Sequence, residues 1–413
     1  MNLIELNDIE ERVILVGVQQ ADGDDTEESV KELGELAKTA GAQVVGSVIQ
    51  NRERIHPGTY IGKGKLDEVR MLLWETDATG IICDDELSPA QLNNLQSELD
   101  CKVCDRTLLI LDIFARHAVT SEGKLQVELA QLRYRAARLT GLGNSLSRLG
   151  GGIGTRGPGE KKLEMDRRLI RTRISHLKQE LEEVIRHREL IRAGRKKSEQ
   201  KIAALVGYTS VGKSAIFKRM TGADVLEDAK LFATLDTTTR GIRLSGKQEV
   251  LLTDTVGFIR KLPHHLVEAF KSTLEEVCCA DILIHVVDAS NPQMEVQMGV
   301  VYETLHQLGA DDRPVITVFN KQDLLAEPKS FRDHHAELCV AASAHTGQGM
   351  EEIKAGIEQI LRSQKIYIER LYSYDQAGLI QIIRRKGELL SEEYQAEGIF
   401  VKAYVTKDIY MKV

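Results

Sequence analysis

No run of about 18 apolar residues occurs in the sequence, so a membrane-spanning helix is not expected. The first residues also lack the basic-then-apolar layout of a secretory leader. Cysteine is sparse. Cys83, Cys101, Cys104, Cys278, Cys279 and Cys339 mostly lie in apolar or strand-like surroundings and read as small buried hydrophobes. Cys101-x-x-Cys104 has no second pair at metal-ligand spacing, which makes zinc or redox chemistry the weaker reading. A cationic excess is missing too: the net charge of −7 excludes a uniformly basic nucleic-acid binder. The expected compartment is the cytoplasm, with or without attachment at a membrane surface.

What is present is length. A chain of 413 residues is too long for one core, and two to four domains are expected. With 42% hydrophobic and 28% charged residues, it reads as a soluble globular protein. Charge is uneven along it. The first fifty residues are acidic, with Asp22, Asp24, Asp25, Glu27 and Glu28, whereas Arg167, Arg168, Arg171, Arg173, Arg186, Arg188, Arg192, Arg195, Lys196 and Lys197 make a later stretch basic. Such asymmetry hints at an anionic partner for one part only.

Residues 12 to 116 alternate strand and helix patterns. Val13–Val16, Val44–Ile49 and Gly80–Cys83 read as strands, and 26–40, Lys65–Trp74 and Pro89–Leu99 as helices. That alternation predicts a parallel sheet covered by helices. No catalytic constellation occurs in it; Asp84, Asp85 and Glu86 read as a solvated acidic turn rather than a metal site. Ser121–Leu139 reads as a long helix and Leu163–Arg192 as a second one, joined by the glycine-rich Gly141–Glu160. The pair is expected to form an antiparallel hairpin whose loop carries Arg148, Arg156, Lys161 and Lys162. Two readings of the tip stand: a solvated flexible loop, or a finger that tracks a phosphate backbone by releasing counterions.

The chemistry begins at Lys201. Ile202–Val206 is a short apolar strand, and Gly207-Tyr208-Thr209-Ser210-Val211-Gly212-Lys213-Ser214 follows it at once. This is the phosphate-loop pattern G-x-x-x-x-G-K-[ST]. The glycines let successive N–H groups turn inward around phosphate oxygens. Lys213 reaches the β- and γ-phosphates, the Ser214 hydroxyl is a ligand for Mg²⁺, and the following helix adds its positive end. Val250–Asp254 is a strand ending in an acid that can hold Mg²⁺ through water, and Thr255-Val256-Gly257 follows, with the Gly257 N–H able to sense a γ-phosphate. Between the two motifs, Phe232-Ala233-Thr234-Leu235-Asp236-Thr237-Thr238-Thr239-Arg240 supplies threonines where a switch needs one for Mg²⁺.

Two more strands, Asp281–Val287 and Pro314–Phe319, precede Asn320-Lys321-Gln322-Asp323. In N-K-x-D the Asp carboxylate accepts from guanine's N1–H and exocyclic amine. Adenine offers neither, and a buried acceptor left unpaired costs about 1–3 kcal/mol. In this order and spacing the motifs predict GTP binding. The backbone of Ser343-Ala344 is placed to meet the guanine carbonyl, with His345 next to it. After Gly257 stands Phe258, not the glutamine with which many GTPases orient water. Slow hydrolysis by the isolated protein is therefore expected, with water positioned by backbone, ion, partner or another side chain. Near the C-terminus, Ile366–Leu371, Gly378–Ile383 and Gly398–Tyr404 read as strands and Gly387–Gln395 as partly helical.

The fold expected is α/β and multidomain. It comprises an N-terminal parallel α/β domain (1–117), a long helical hairpin with a glycine-rich loop (118–198), a P-loop GTPase domain with a mostly parallel sheet and helices on both faces (199–363), and a small C-terminal α+β domain (364–413).

These motifs resemble those of the HflX family of ribosome-associated GTPases. The likeness is carried by GYTSVGKS, FATLDTTTR, DTVGFIRKLPHHLVEAFKSTLEEV and NKQD, and more specifically by IHPGTYIGKGKLDEV, GKLQVELAQL and LSRLGGGIGTRGPGE. It covers nearly the whole chain except the last 50 residues. The resemblance implies a cytoplasmic GTPase that binds the large (50S) ribosomal subunit and its rRNA and splits or rescues idle or stalled 70S ribosomes; a monomer is expected. The hairpin tip would approach the peptidyl-transferase region. By motif match, Ser214 and Thr234 would hold Mg²⁺, Asp254 to Gly257 would face the γ-phosphate, and Asn320, Lys321 and Asp323 would take the base. Lys213, Thr234 and Gly257 are then the catalytic candidates. Ser210 stands where the family usually has Asn, Ala215 where Thr is usual, Thr237 where Pro is usual, and His345 where Lys or Leu is commoner. In related GTPases that Asn ligates a monovalent cation, so potassium dependence is not carried over. Two rival readings remain at this point: a signalling switch acting on a protein effector, and an RNA-remodelling NTPase.

Overall fold

The computed structural model describes residues 11–20, 25–146, 158–197, 200–222, 232, 237–244, 249–261, 276–327, 330–405 and 407–412. Contacts gather in two units. One comprises Met1–Ser198, Leu226–Thr237 and Thr255–Glu275; the other comprises Glu199–Val225, Thr238–Asp254 and Glu276–Val413.

The first unit is built on four parallel strands, β1 (Arg12–Gln19), β2 (Gln43–Asn51), β3 (Gly80–Cys83) and β4 (Lys102–Asp105), in the order β2-β1-β3-β4. Their apolar runs are nearly continuous, as expected of parallel strands covered on both faces. Ile14, Val16, Ile81 and Val103 enter a core closed by Leu66, Val69 and Leu95. The helices are α1 (Thr26–Thr39), α2 (Lys63–Glu75), α3 (Pro89–Leu99) and α4 (Arg106–His117). Local signals set their starts: Ser88 and Gln91 form a capping box on α3, and the Asp105 carboxylate accepts from Leu108 N at the head of α4.

Two long helices follow, α5 (Ser121–Leu146) and α6 (Pro158–Lys197). They lie against each other, with the Arg173 fork on the Glu128 carboxylate at 2.8 and 3.0 Å. Tyr134 and Arg138 tie α5 to the end of β4 through Asp105, at 2.8 and 2.7 Å. Both helices extend further than the glycine pattern predicts. Gly141 and Gly143 continue α5, since a glycine inside a helix costs only about 1 kcal/mol, and α6 starts at Pro158, a residue suited to a first turn. Arg148 and Arg156 lie outside the described residues, and Lys161 and Lys162 fall on α6 rather than on a loop.

The second unit holds a six-stranded sheet of order β10-β9-β8-β5-β7-β6. Its strands are β5 (Lys201–Gly207), β6 (Thr238–Arg243), β7 (Glu249–Asp254), β8 (Ile282–Asp288), β9 (Val315–Asn320) and β10 (Leu338–Ala341). All pairings are parallel except β6 with β7. Helices α7 (Lys213–Thr221), α8 (Met294–Leu308) and α9 (Met350–Ser363) pack on it.

After α9 come β11 (Ile366–Tyr372), helix α10 (Ala377–Lys386), β12 (Glu388–Gln395), β13 (Gly398–Val405) and a short α11 (Lys407–Tyr410). The sheet order is β11-β13-β12, all antiparallel. Two expectations are corrected here. Gly378–Ile383 is helical, not a strand, because Ile380 and Ile383 are both buried three residues apart, a helical period. Gly387–Gln395 is mostly strand, not partly helical, because its backbone pairs with β13 across the two-residue turn at Ala396 and Glu397.

Candidate functional site

The phosphate loop leaves β5 and enters α7. Its two glycines sit at φ +151° and +96°, where a Cβ on Gly207 would stand 2.3 Å from the Val286 carbonyl and one on Gly212 2.3 Å from the Asn320 side chain. Only glycine lets the loop fold this tightly. Ser210 also takes a positive φ, 57°. Tyr208, Thr209 and Val211 are buried, so their side chains anchor the loop.

Lys213 is buried, and its ammonium donates to the Gly207 and Tyr208 carbonyls at 3.1 and 2.6 Å. Burial pulls its pKa down to about 8, against the opposing pull of Asp254. The Ser214 hydroxyl donates to Asp254 Oδ2 at 2.8 Å, joining the first turn of α7 to the end of β7. A hydroxyl and a buried carboxylate side by side form an oxygen donor set of the kind Mg²⁺ takes, so these residues fit that ion. Thr239 and Thr253 share a hydrogen bond of 3.0 Å on the paired strands β6 and β7. Phe232 is buried; Ala233, Thr234, Leu235 and Asp236 lie outside the described residues.

The N-K-x-D segment follows β9. Asn320 is buried; its amide donates to the Val211 carbonyl at 2.8 Å and its oxygen accepts from Ala344 N at 2.9 Å. Asn320 thus binds the phosphate loop on one side and the loop after β10 on the other. Lys321 takes a positive φ of 63° and pairs with Asp288 at 2.6 Å. Gln322 N donates to the Ala342 carbonyl, and the Ser343 hydroxyl donates to Asp323 Oδ1 at 2.6 Å. Ser343 also accepts from Thr346 N at 3.2 Å, while His345 is exposed. The predicted phosphate and base motifs therefore share one hydrogen-bonded framework within the second unit.

Thr255, Val256 and Gly257 belong to the first unit together with the residues after them. Thr255 is fully buried, and Phe258 and Ile259 are each 2% exposed. A Phe258 side chain so placed packs into a core and does not face solvent. Lys261 extends from this segment, at φ +54°, onto Asp84 at 2.6 Å and Asp85 at 2.7 Å.

This corrects the reading of a solvated turn for Asp84 and Asp85, while Glu86 is exposed as read. Asp84 is wholly buried and also bonded by Arg106 Nη2 at 2.7 Å and by the Ser29 hydroxyl at 2.8 Å. Arg106, 1% exposed, further donates to the Ser29 and Arg260 carbonyls. Burial alone would raise the Asp84 pKa, but Arg106 and Lys261 hold it below the usual carboxylate range. Burial opposes the charge on Lys261 too, and Asp84 and Asp85 outweigh it, raising that pKa. Sequence reasoning missed this cluster because its partners lie 22 and 177 residues away. Arg106 opening a helix directly after a strand was the one available hint. Cys104 is buried and Cys101 half-buried, and burial pushes the Cys101 thiol up to about 11, which suits the packing role read for them.

A phosphate loop between a buried strand and a helix, an acid-ended strand beside it, and an N-K-x-D segment on the same sheet define a P-loop GTPase that hydrolyses GTP. Three family profiles match in succession: "GTP-binding GTPase N-terminal" over 27–115, "GTP-binding GTPase Middle Region" over 117–195 and "50S ribosome-binding GTPase" over 202–321. The chain is 64% identical over 408 residues to the GTPase HflX of Lacrimispora saccharolytica, covering 99% of this chain and 96% of that one. It is 48% identical to the GTPase HflX of Caldanaerobacter subterraneus subsp. tengcongensis, over 98% of this chain and 93% of that one. A GTP-binding protein of Sulfolobus solfataricus solved with GDP is 23% identical with a TM-score of 0.45, over 85% and 98% of the two chains. The chain belongs to the HflX family of GTPases. The likeness runs further than the motifs indicated, through the C-terminal residues as well.

Proposed function

We propose that this GTPase acts on ribosomes: its GTP form binds the large subunit and splits or rescues idle or stalled particles, and hydrolysis releases it. The reading rests on one pairing above all. A guanine-type nucleotide site shares its chain with α6, a 40-residue helix rich in arginine and lysine. The family descriptions, which name ribosome binding for the profile over 202–321, support it. The working domain map divides the chain after 117, 198 and 363.

In this reading the loop N–H groups and Lys213 hold the β- and γ-phosphates. Ser214, Thr234 and Asp254 would hold Mg²⁺, which would supply positive charge against that developing on the phosphates. The Gly257 N–H meets the γ-phosphate, Asp323 takes the N1–H and amine of guanine, and Asn320 and Ala344 complete the base pocket. Phe258 supplies no hydrogen bond to water, so turnover depends on what the ribosome adds. GTP orders the switch segments and hydrolysis releases them. Arg148, Arg156, Lys161 and Lys162 meet rRNA by counterion release.

The test is the GTPase rate with large subunits, with small subunits and alone, joined to sucrose-gradient sedimentation of 70S particles with a non-hydrolysable GTP analogue. Large subunits are expected to raise the rate and the analogue form to shift 70S particles into subunits. Equal stimulation by small subunits, or none, counts against the proposal.

A further inference from the structure

Arg219 lies in the last turn of α7, the helix into which the phosphate loop opens. Its Nε donates to the Ala344 carbonyl at 3.0 Å and its Nη2 to the His345 carbonyl at 2.6 Å. These acceptors are 125 and 126 residues away, so the bonds do more than close the end of a helix. In a planar trans peptide the C=O and the N–H of one unit point in opposite directions. A guanidinium fork that takes two successive carbonyls therefore fixes two successive peptide planes, and turns the His345 N–H away from Arg219. The other side of the same loop is pinned by Ala344 N on Asn320 Oδ1, at 2.9 Å, and by Thr346 N on the Ser343 hydroxyl, at 3.2 Å.

We propose that Arg219 is a positioning residue for guanine recognition: by holding the Ala344 and His345 carbonyls, it presents the His345 N–H to the 6-oxo group of the base. The inference rests on the reading of Ser343–His345 as the base loop and deepens it. Through Arg219 the helix at the phosphate end and the loop at the base end move as one piece, with the Asn320 bond to the Val211 carbonyl, 2.8 Å, as the second tie. A planar two-donor fork suits this task because it holds both carbonyls in one fixed geometry, which the rotatable ammonium of a lysine does not impose.

The experiment measures binding of GDP, 6-thio-GDP and IDP to the full chain and to Arg219→Ala and Arg219→Lys. The thio analogue replaces the 6-oxo acceptor by a weak one and keeps the groups that Asp323 reads. IDP keeps the 6-oxo and lacks the 2-amino group. Arg219→Ala is expected to weaken GDP about fivefold, modest because the side chain is exposed, and to narrow the GDP to 6-thio-GDP ratio by a similar factor. The GDP to IDP ratio stays fixed, and Arg219→Lys lies between. Equal weakening of all three ligands would mean Arg219 merely supports the fold, and an unchanged GDP affinity would also overturn the inference. If the unaltered chain discriminates against neither analogue, the base-loop reading itself fails. Should Arg219→Ala fold poorly, the 6-thio ratio of Arg219→Lys decides alone.

Discussion

His285 is a titratable side chain that the nucleotide site does not use. It lies on β8, 1% exposed, with no hydrogen-bond partner for Nδ1 among the described residues and Asp333 Oδ2 3.9 Å away. The ring of Tyr302 stands edge-on to it at 5.0 Å, and Tyr302 and Thr317 both donate to Asp333. Burial depresses its pKa from 6.5 to about 4, with Asp333 opposing and Lys213 adding to the fall. A histidine that protonates less readily when folded stabilises the fold fully above its unfolded pKa, and the contribution is lost as pH drops from about 6.5 towards 4. At 1.36 kcal/mol per pH unit, that gap is worth up to about 3 kcal/mol. Urea midpoints should therefore fall steeply between pH 6.5 and 4. His285→Gln should flatten that part of the curve, and an unchanged slope in the variant would mean the acid sensitivity arises elsewhere.

At the scale of elements, the central strands and the loops at their ends were plain in the residues. Ile202–Val206 and Pro314–Phe319 are apolar runs that end in glycine or N-K-x-D, and short-range chemistry dictates both. The segment from 377 to 395 was not legible in that way. Leu379-Ile380-Gln381-Ile382-Ile383 has strand propensity, and Glu388–Gln395 is rich in glutamate, yet tertiary packing reverses both, since only the helix buries Ile380 with Ile383 and only the strand completes β13. The Asp84 cluster was hidden for a different reason: charge pairs between distant segments leave no periodic trace. Its energetics are large all the same. Removing one partner from a buried pair strands the other charge at a cost of roughly 3–5 kcal/mol. Arg106→Met should thus lower the stability of the first unit by about that much, read as an early transition in urea. Lys261→Met, at a side chain one quarter exposed, should cost clearly less. Equal losses in the two would show that Arg106 is not the dominant counter-ion.

For the whole molecule, the chain itself connects the phosphate-loop sheet to the first unit. It crosses between units at Thr237 to Thr238 and again at Asp254 to Thr255, so both segments expected to switch with GTP are carried by the unit that also holds α5 and α6. Thr255–Lys261 connects Asp254 along the chain to a lysine gripped by Asp84 and Asp85. If the partner is rRNA, as proposed, the net charge of −7 means its phosphates would be repelled by most of this molecule, which would concentrate salt-sensitive contacts on the basic stretch of α6. Lys161→Ala with Lys162→Ala should therefore weaken binding of the GTP-analogue form to large subunits. The slope of log affinity against log salt should become less steep by about 1 to 2, one counterion for each lysine that meets a phosphate. GDP affinity and single-turnover hydrolysis without ribosomes should not move. A double variant that keeps the salt slope but loses affinity would point to a protein surface on the ribosome rather than rRNA as the contact.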